Sequence, residues 1–391
     1  MKKIRVAFLT CFTAIMLVIA LPFSTYASPT GSTWTVNVAA PYNISTNSKY
    51  SDSAVWDFSS FWATAAADAM PANYYAKNYP EIKTVQVFGA TGGCYTGFAQ
   101  ICGPARDPFI NPANTATMTD YDFSVIIHGL RNIVRQGLKP YLKTGNVPVK
   151  YSTGATIGAF GLNVRPPDDY NVYYNYIKAM ATAFVNEFGL SEVRSWRWSV
   201  LSEYENSDWF LAADGTAAST KVAYFKLYDY TAKALEDVLG AGQVNIGAHA
   251  QGNLGALWDY RELFDHVTSG TNYATGGTGA PIKFASLSFY DLKPGTLGNF
   301  TSALSTLRSK LDAVGLNGLP VGIDEGWMLQ GGGRQRTPPG KRLLELSVCL
   351  RRFAISADDR LQRELGGPLV FEYGWSVCKR QSDKLDTDQS G

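Results

Sequence analysis

The sequence predicts an α/β protein built as a (βα)8 TIM barrel, and three observations carry that prediction. Short apolar or β-branched runs alternate with longer helical stretches from about Thr33 to Ile323, as parallel strands joined by helices require. Polar residues capable of chemistry stand at or just beyond the C-terminal ends of different runs: Gln86, Lys143, Glu203, His249, Tyr290 and Glu325. In barrels that face carries the active site. No Gly-x-Gly-x-x-Gly follows the first strand, which speaks against a dinucleotide-binding sheet.

A first strand is expected somewhere within Thr33 to Phe58. The second, Ile82-Lys-Thr-Val-Gln-Val-Phe88, precedes a Gly-rich loop and a helix over about Tyr121 to Gln136, whose Val125, Ile126, Leu130, Ile133 and Val134 share one face. Leu138-Lys-Pro-Tyr-Leu142 is the third. A helix from about Tyr170 to Phe188 leads into Arg197-Trp-Ser-Val-Leu201, and another from about Lys221 to Leu239 leads into Val244-Asn-Ile-Gly-Ala248. The run Ile282 to Ser288, a helix around Thr301 to Val314 and the run Leu319 to Ile323 bring the strands to seven before residue 330. A closed barrel needs an eighth, whereas an open doubly wound sheet does not.

The chain divides into residues 1–27, 28–330 and 331–391. Met1-Lys-Lys-Ile-Arg5, an apolar run from Val6 to about Leu21 and Ser24-Thr-Tyr-Ala27 read as a secretory signal peptide cleaved before Ser28. The run is short for a bilayer span, so a secreted product with no remaining membrane segment is expected. In an oxidising compartment Cys94 and Cys102, which bracket a turn-rich loop, are candidates for a disulfide; two free buried thiols are the alternative. After Gln330 the strand-helix rhythm stops at Gly331-Gly-Gly-Arg-Gln-Arg-Thr-Pro-Pro-Gly-Lys-Arg342, and about half of the arginines fall in this last sixth. A basic binding tail, a linker or a shifted reading frame would each produce such a change. In the shifted frame, codon degeneracy across Asp358 to Trp375 permits a stretch rich in aromatics and Asp/Asn, suited to a final strand and its loop. On that reading the eighth strand is lost or garbled in the chain as it stands.

With 46% hydrophobic and 17% charged residues among 391, the chain can bury a large core, and a net charge of +2 gives no electrostatic case for nucleic acid or an acidic membrane. No His-x-x-x-His, Cys-x-x-Cys or calcium-loop pattern implies a metal, and no cofactor is expected. The absence of a Gly-x-Ser-x-Gly elbow counts against an α/β-hydrolase esterase. Nothing in the sequence fixes an oligomeric state.

Two glutamates at strand ends stand out, Glu203 in Trp196-Arg-Trp-Ser-Val-Leu-Ser-Glu-Tyr-Glu-Asn206 and Glu325 in Leu319-Pro-Val-Gly-Ile-Asp-Glu-Gly-Trp327. Cleaving a glycosidic bond needs one carboxylic acid to protonate the leaving oxygen and one carboxylate across the sugar, about 5 to 5.5 Å apart where configuration is retained. Strands four and seven face each other across a barrel and can present such a pair. Glu205 competes with Glu203 for the acid role, and Asp324 competes with Glu325, although strand alternation should send Asp324 outward if Glu325 points inward. A salt-bridged carboxylate is the plain alternative at both sites.

The Trp-x-Val-x-x-Glu and Pro-Val-x-x-x-Glu-x-Trp patterns resemble clan A glycoside hydrolases, most closely family 39, which includes β-xylosidases and α-L-iduronidases. The resemblance spans about Thr33 to Gln330. It implies a barrel with Glu203 as acid/base and Glu325 as nucleophile. Two positions depart from the family pattern: Ser202 stands where Asn usually bonds the sugar 2-hydroxyl, and Gln86 stands where strand two usually ends near an Arg. His249 and Tyr290 are expected to contact substrate, Tyr290 through a hydrogen bond to the nucleophile. Trp327 and Trp209 are candidates to stack on sugar faces. The expected partner is a polysaccharide or oligosaccharide, with a non-catalytic carbohydrate-binding protein on a degenerate barrel as the alternative.

Overall fold

A computed structural model describes residues 53–55, 65–79, 82–94, 107–252, 256–291, 297–328 and 369–373. All of them belong to one unit, Asn43–Gly391. Eight parallel strands form a closed barrel in sequence order: β1 Ser53–Val55, β2 Ile82–Val87, β3 Lys139–Thr144, β4 Arg197–Val200, β5 Ile246–Ala250, β6 Phe284–Asp291, β7 Val321–Met328 and β8 Leu369–Tyr373.

The expected barrel is present, and its closure corrects one expectation. The strand thought lost is supplied by the Arg-rich tail, where the backbone of Leu369–Tyr373 pairs with β7 through Val321↔Leu369 and Ile323↔Phe371. It pairs with β1 through Ala54↔Glu372 and Val55↔Tyr373. The barrel therefore does not end at residue 330. Four of its five residues, Leu369, Val370, Phe371 and Tyr373, are apolar or aromatic, with Glu372 the exception, and that composition suits a strand whatever surrounds it.

Long helices sit where the apolar periodicity placed them, at Ser124–Arg135, Tyr170–Phe188, Ala217–Leu239 and Leu297–Ala313. Their ends follow from local chemistry. Asp169 accepts from the Asn171 N–H and Thr216 from the Ser219 N–H at the starts, and Gly189 (φ 83°) and Gly240 (φ 98°) close the ends in a conformation that penalises other residues. A shorter helix after β5, Glu262–Ser269, escaped the sequence analysis because eight residues show too little periodicity.

The core between barrel and helices is strongly aromatic. Trp196, Trp198, Tyr173, Tyr176, Tyr224 and Tyr228 are fully buried, and Tyr204 stacks on Tyr224 at 4.7 Å between ring centres. The hydroxyls of Tyr176, Tyr204, Tyr224 and Tyr228 each donate to a main-chain carbonyl, which removes the cost of burying them.

Candidate active site

The β4 and β7 ends bring the two glutamates into one electrostatic environment. After Val200 the chain turns through two non-glycine residues in the left-handed region, Leu201 (φ 63°) and Glu203 (φ 46°). Such conformations persist only where neighbours over-determine them. Here the Leu201 N–H donates to Thr144 O at 2.6 Å and the Tyr204 N–H to His249 O at 3.3 Å, tying the turn to β3 and β5. Glu203 emerges buried but not sealed, and Asn206 Nδ2 donates to its Oε2 at 2.9 Å.

On β7 the register slips against β6: Ile323 opposes Leu287, yet Glu325 opposes Ser288, which leaves Asp324 as the extra residue of a bulge. A bulge re-aims side chains that strict alternation would send to opposite faces. Asp324 therefore does not point outward as expected. Its Oδ2 accepts from Lys143 Nζ and from the Tyr141 hydroxyl, each at 2.6 Å. Glu325, half-buried beside it, accepts from the Tyr290 hydroxyl, the contact expected of Tyr290.

Burial first, then the negative charge of Glu203, pushes the Glu325 carboxyl up to about 7. The Tyr290 hydrogen bond and the charge of Lys143 pull the other way. Although burial opposes it, the positive charge of Lys143 and the two hydrogen bonds hold the Asp324 carboxyl below the usual carboxylate range. His249 is driven down to about 3 by burial and then by Lys143, so its ring is neutral at pH 7. Because Lys143 has only donors, His249 Nδ1 (3.2 Å from Nζ) accepts, and Nε2–H donates to Ser288 Oγ at 2.9 Å. Ser202 Oγ also lies 3.0 Å from Nδ1.

Gln86, Ser202 and His249 were expected to touch substrate, but each is fully buried. Gln86 Nε2 is spent on the Asp324 carbonyl at 2.8 Å, while its Oε1 has no partner among the described residues. These three belong to a buried polar layer inside the barrel around Lys143 and Asp324. Glu205 is likewise sealed, with Oε1 accepting from the Gly252 N–H at 3.1 Å. Burial pushes it up to about 8, so it is a neutral acid that cannot reach a substrate, and Glu203 is the accessible member of that pair. Trp209 is buried with Phe160 stacked at 4.4 Å and Phe88 at 6.0 Å, which removes it from sugar stacking.

The side chain of Trp327 lies outside the described residues, as does Cys102. Cys94 is engaged in a disulfide. Among the described residues neither Glu203 nor Glu325 is salt-bridged to a Lys or Arg, so the plain ion-pair explanation fits neither. Sequence reasoning missed Tyr141, Ser288 and the interior placement of Asp324. The alternation of Ser286, Ser288 and Tyr290 with Ala285, Leu287 and Phe289 was the available signal for Ser288.

The family model for Glycosyl hydrolases family 39 matches residues 109–309. A β-xylosidase of Geobacillus stearothermophilus is 30% identical over 119 residues, which is 30% of this chain and 22% of that protein. A β-xylosidase of Caldicellulosiruptor saccharolyticus is 28% identical over 200 residues, 50% of this chain and 36% of that protein. The chain thus matches well under half the length of these relatives. The fold is similar to that of a GH39 β-xylosidase from Caulobacter crescentus, with a TM-score of 0.54 at 16% identity over 83% of this chain and 62% of that one.

Proposed function

The chain belongs to glycosyl hydrolases family 39, and on that premise we propose that it is a retaining glycoside hydrolase working through Glu203 and Glu325. The observation that carries this is the electrostatic contact between the two carboxyls, one on the turn after β4 and one on β7, at the C-terminal face of a closed barrel. The charge of Glu203 adds to burial in raising the Glu325 carboxyl to about 7. Against these, the Tyr290 hydrogen bond and the charge of Lys143 favour the ionised nucleophile.

In the first step a Glu325 oxygen attacks the anomeric carbon while Glu203 passes its proton to the departing glycosidic oxygen, leaving a glycosyl ester on Glu325. In the second, Glu203 takes a proton from water, the hydroxide oxygen attacks the anomeric carbon, and the Glu325 carboxylate leaves. The named β-xylosidase relatives make aryl and oligomeric β-xylosides the first substrates to try. The panel also holds other sugars, because the match to those relatives covers only part of their length. The residue 1–27 segment supports export, with Ser28 as the expected mature N-terminus. A Cys94–Cys102 bond fits that setting.

The test is turnover on a broad panel of aryl glycosides and oligosaccharides, with Glu325→Gln alongside the native chain. Hydrolysis that falls at least about a thousandfold in the variant while sugar binding persists is the expected result. Binding without turnover in the native chain would establish the carbohydrate-binding alternative.

A further inference from the structure

Lys143 is fully buried at the end of β3, and the double displacement gives it no bond to make or break. A buried cation costs several kcal/mol unless well paired. Its Nζ lies 2.6 Å from Asp324 Oδ2, 3.2 Å from His249 Nδ1 and 3.8 Å from the centre of the Tyr141 ring, so it is held from β3, β5 and β7 at once. His249 is neutral, which leaves Asp324 as the anion that Lys143 offsets. The bulge places that anion directly before Glu325 in the chain and on the same side of β7.

The groups that act on Glu325 are Glu203 from the turn after β4, Tyr290 from β6, Lys143 from β3 and Asp324 from β7. Three of the four charged members are carboxyls when Glu325 itself is counted with Glu203 and Asp324. Lys143 is the cation among them. We propose that Lys143 is a positioning residue for the reaction: by offsetting the charge of Asp324 it leaves Glu325 free to attack as a carboxylate. This rests on the retaining two-glutamate mechanism above. A purely structural tie between β3 and β7 would instead act on stability alone, and removing both charges together separates the two roles.

The experiment is a carbon-13 NMR titration of the full chain labelled at the glutamate carboxyl, with the Glu325 signal assigned by its loss in Glu325→Gln. It needs no turnover, so a failure of the glycosidase proposal is seen separately, in the substrate panel. In Lys143→Met the Glu325 midpoint is expected to rise by about one pH unit, and in Asp324→Asn to fall. In the double variant Lys143→Met/Asp324→Asn it should return to within about half a pH unit of the native value. Where turnover is present, the acid limb of the kcat/KM profile should move with the midpoint. An unchanged midpoint in folded Lys143→Met, or a double variant that titrates like Lys143→Met, overturns the proposal. Should Lys143→Met not fold, an Asp324→Asn midpoint that fails to fall overturns it equally.

Discussion

Glu205 illustrates how one residue's protonation couples to the stability of the whole barrel. It is sealed two positions after Glu203, its carboxyl is raised from 4.5 to about 8, and its Oε2 has no partner among the described residues. A raised folded pKa means that the folded state prefers the proton. The stabilisation from keeping Glu205 neutral is fully present below about pH 4.5 and is lost as pH rises through 8. Glu325 contributes with the same sign, its share lost as pH rises from about 4.5 through 7. Thermal unfolding of Glu205→Gln should therefore match or fall below the native chain at pH 6, and gain on it by several degrees at pH 9. Parallel Tm-against-pH curves would show that Glu205 is not held neutral by its burial. Its neighbour Glu203 was legible as a candidate because it follows a strand. That Glu205 is sealed was not, because its burial depends on the segment after β5, whose Gly252 N–H donates to its Oε1 and whose Leu257 N–H donates to its main-chain oxygen.

At the scale of elements, the turn after β4 and the bulge on β7 set the geometry of the site. Gly145 (φ 97°) ends β3 against this turn, and a Cβ there would sit 2.9 Å from the Leu201 backbone nitrogen. Gly145→Ala thus combines an unfavourable backbone region, costing roughly 1–2 kcal/mol, with pressure on the segment that carries Glu203. The expected outcome is a lower Tm and a loss of kcat of at least about tenfold with folding retained, since small displacements of a catalytic group are amplified in rate. Circular dichroism and steady-state kinetics would check it, and an unaltered kcat would show that the turn tolerates movement. The strands and long helices were readable from periodicity because their packing repeats every two or 3.6 residues. The bulge was not, since alternation along Gly322 to Glu325 reads the same with or without an extra residue, and only the pairing with Leu287 and Ser288 reveals it.

For the whole molecule, closure depends on a segment whose composition argued against it. The tail reads as Arg-rich and non-periodic, yet five of its residues complete the barrel between β7 and β1. A local strand pattern of five residues is too short to stand out in 61 residues of other character. Truncation after Gln330 removes β8 and exposes the edges of β1 and β7, so unfolding in denaturant should begin at lower concentration and lose its sharpness. An unchanged midpoint would mean that β8 adds nothing to the barrel. Closure matters to function because β7, which pairs with β8 through Val321 to Ile323, holds Glu325 opposite the turn that carries Glu203. The two-glutamate mechanism predicts one stereochemical result from that arrangement. Proton NMR of the sugar first released by the native chain, recorded before mutarotation, should show the same anomeric configuration as the substrate. Release of the opposite anomer would contradict Glu325 as nucleophile.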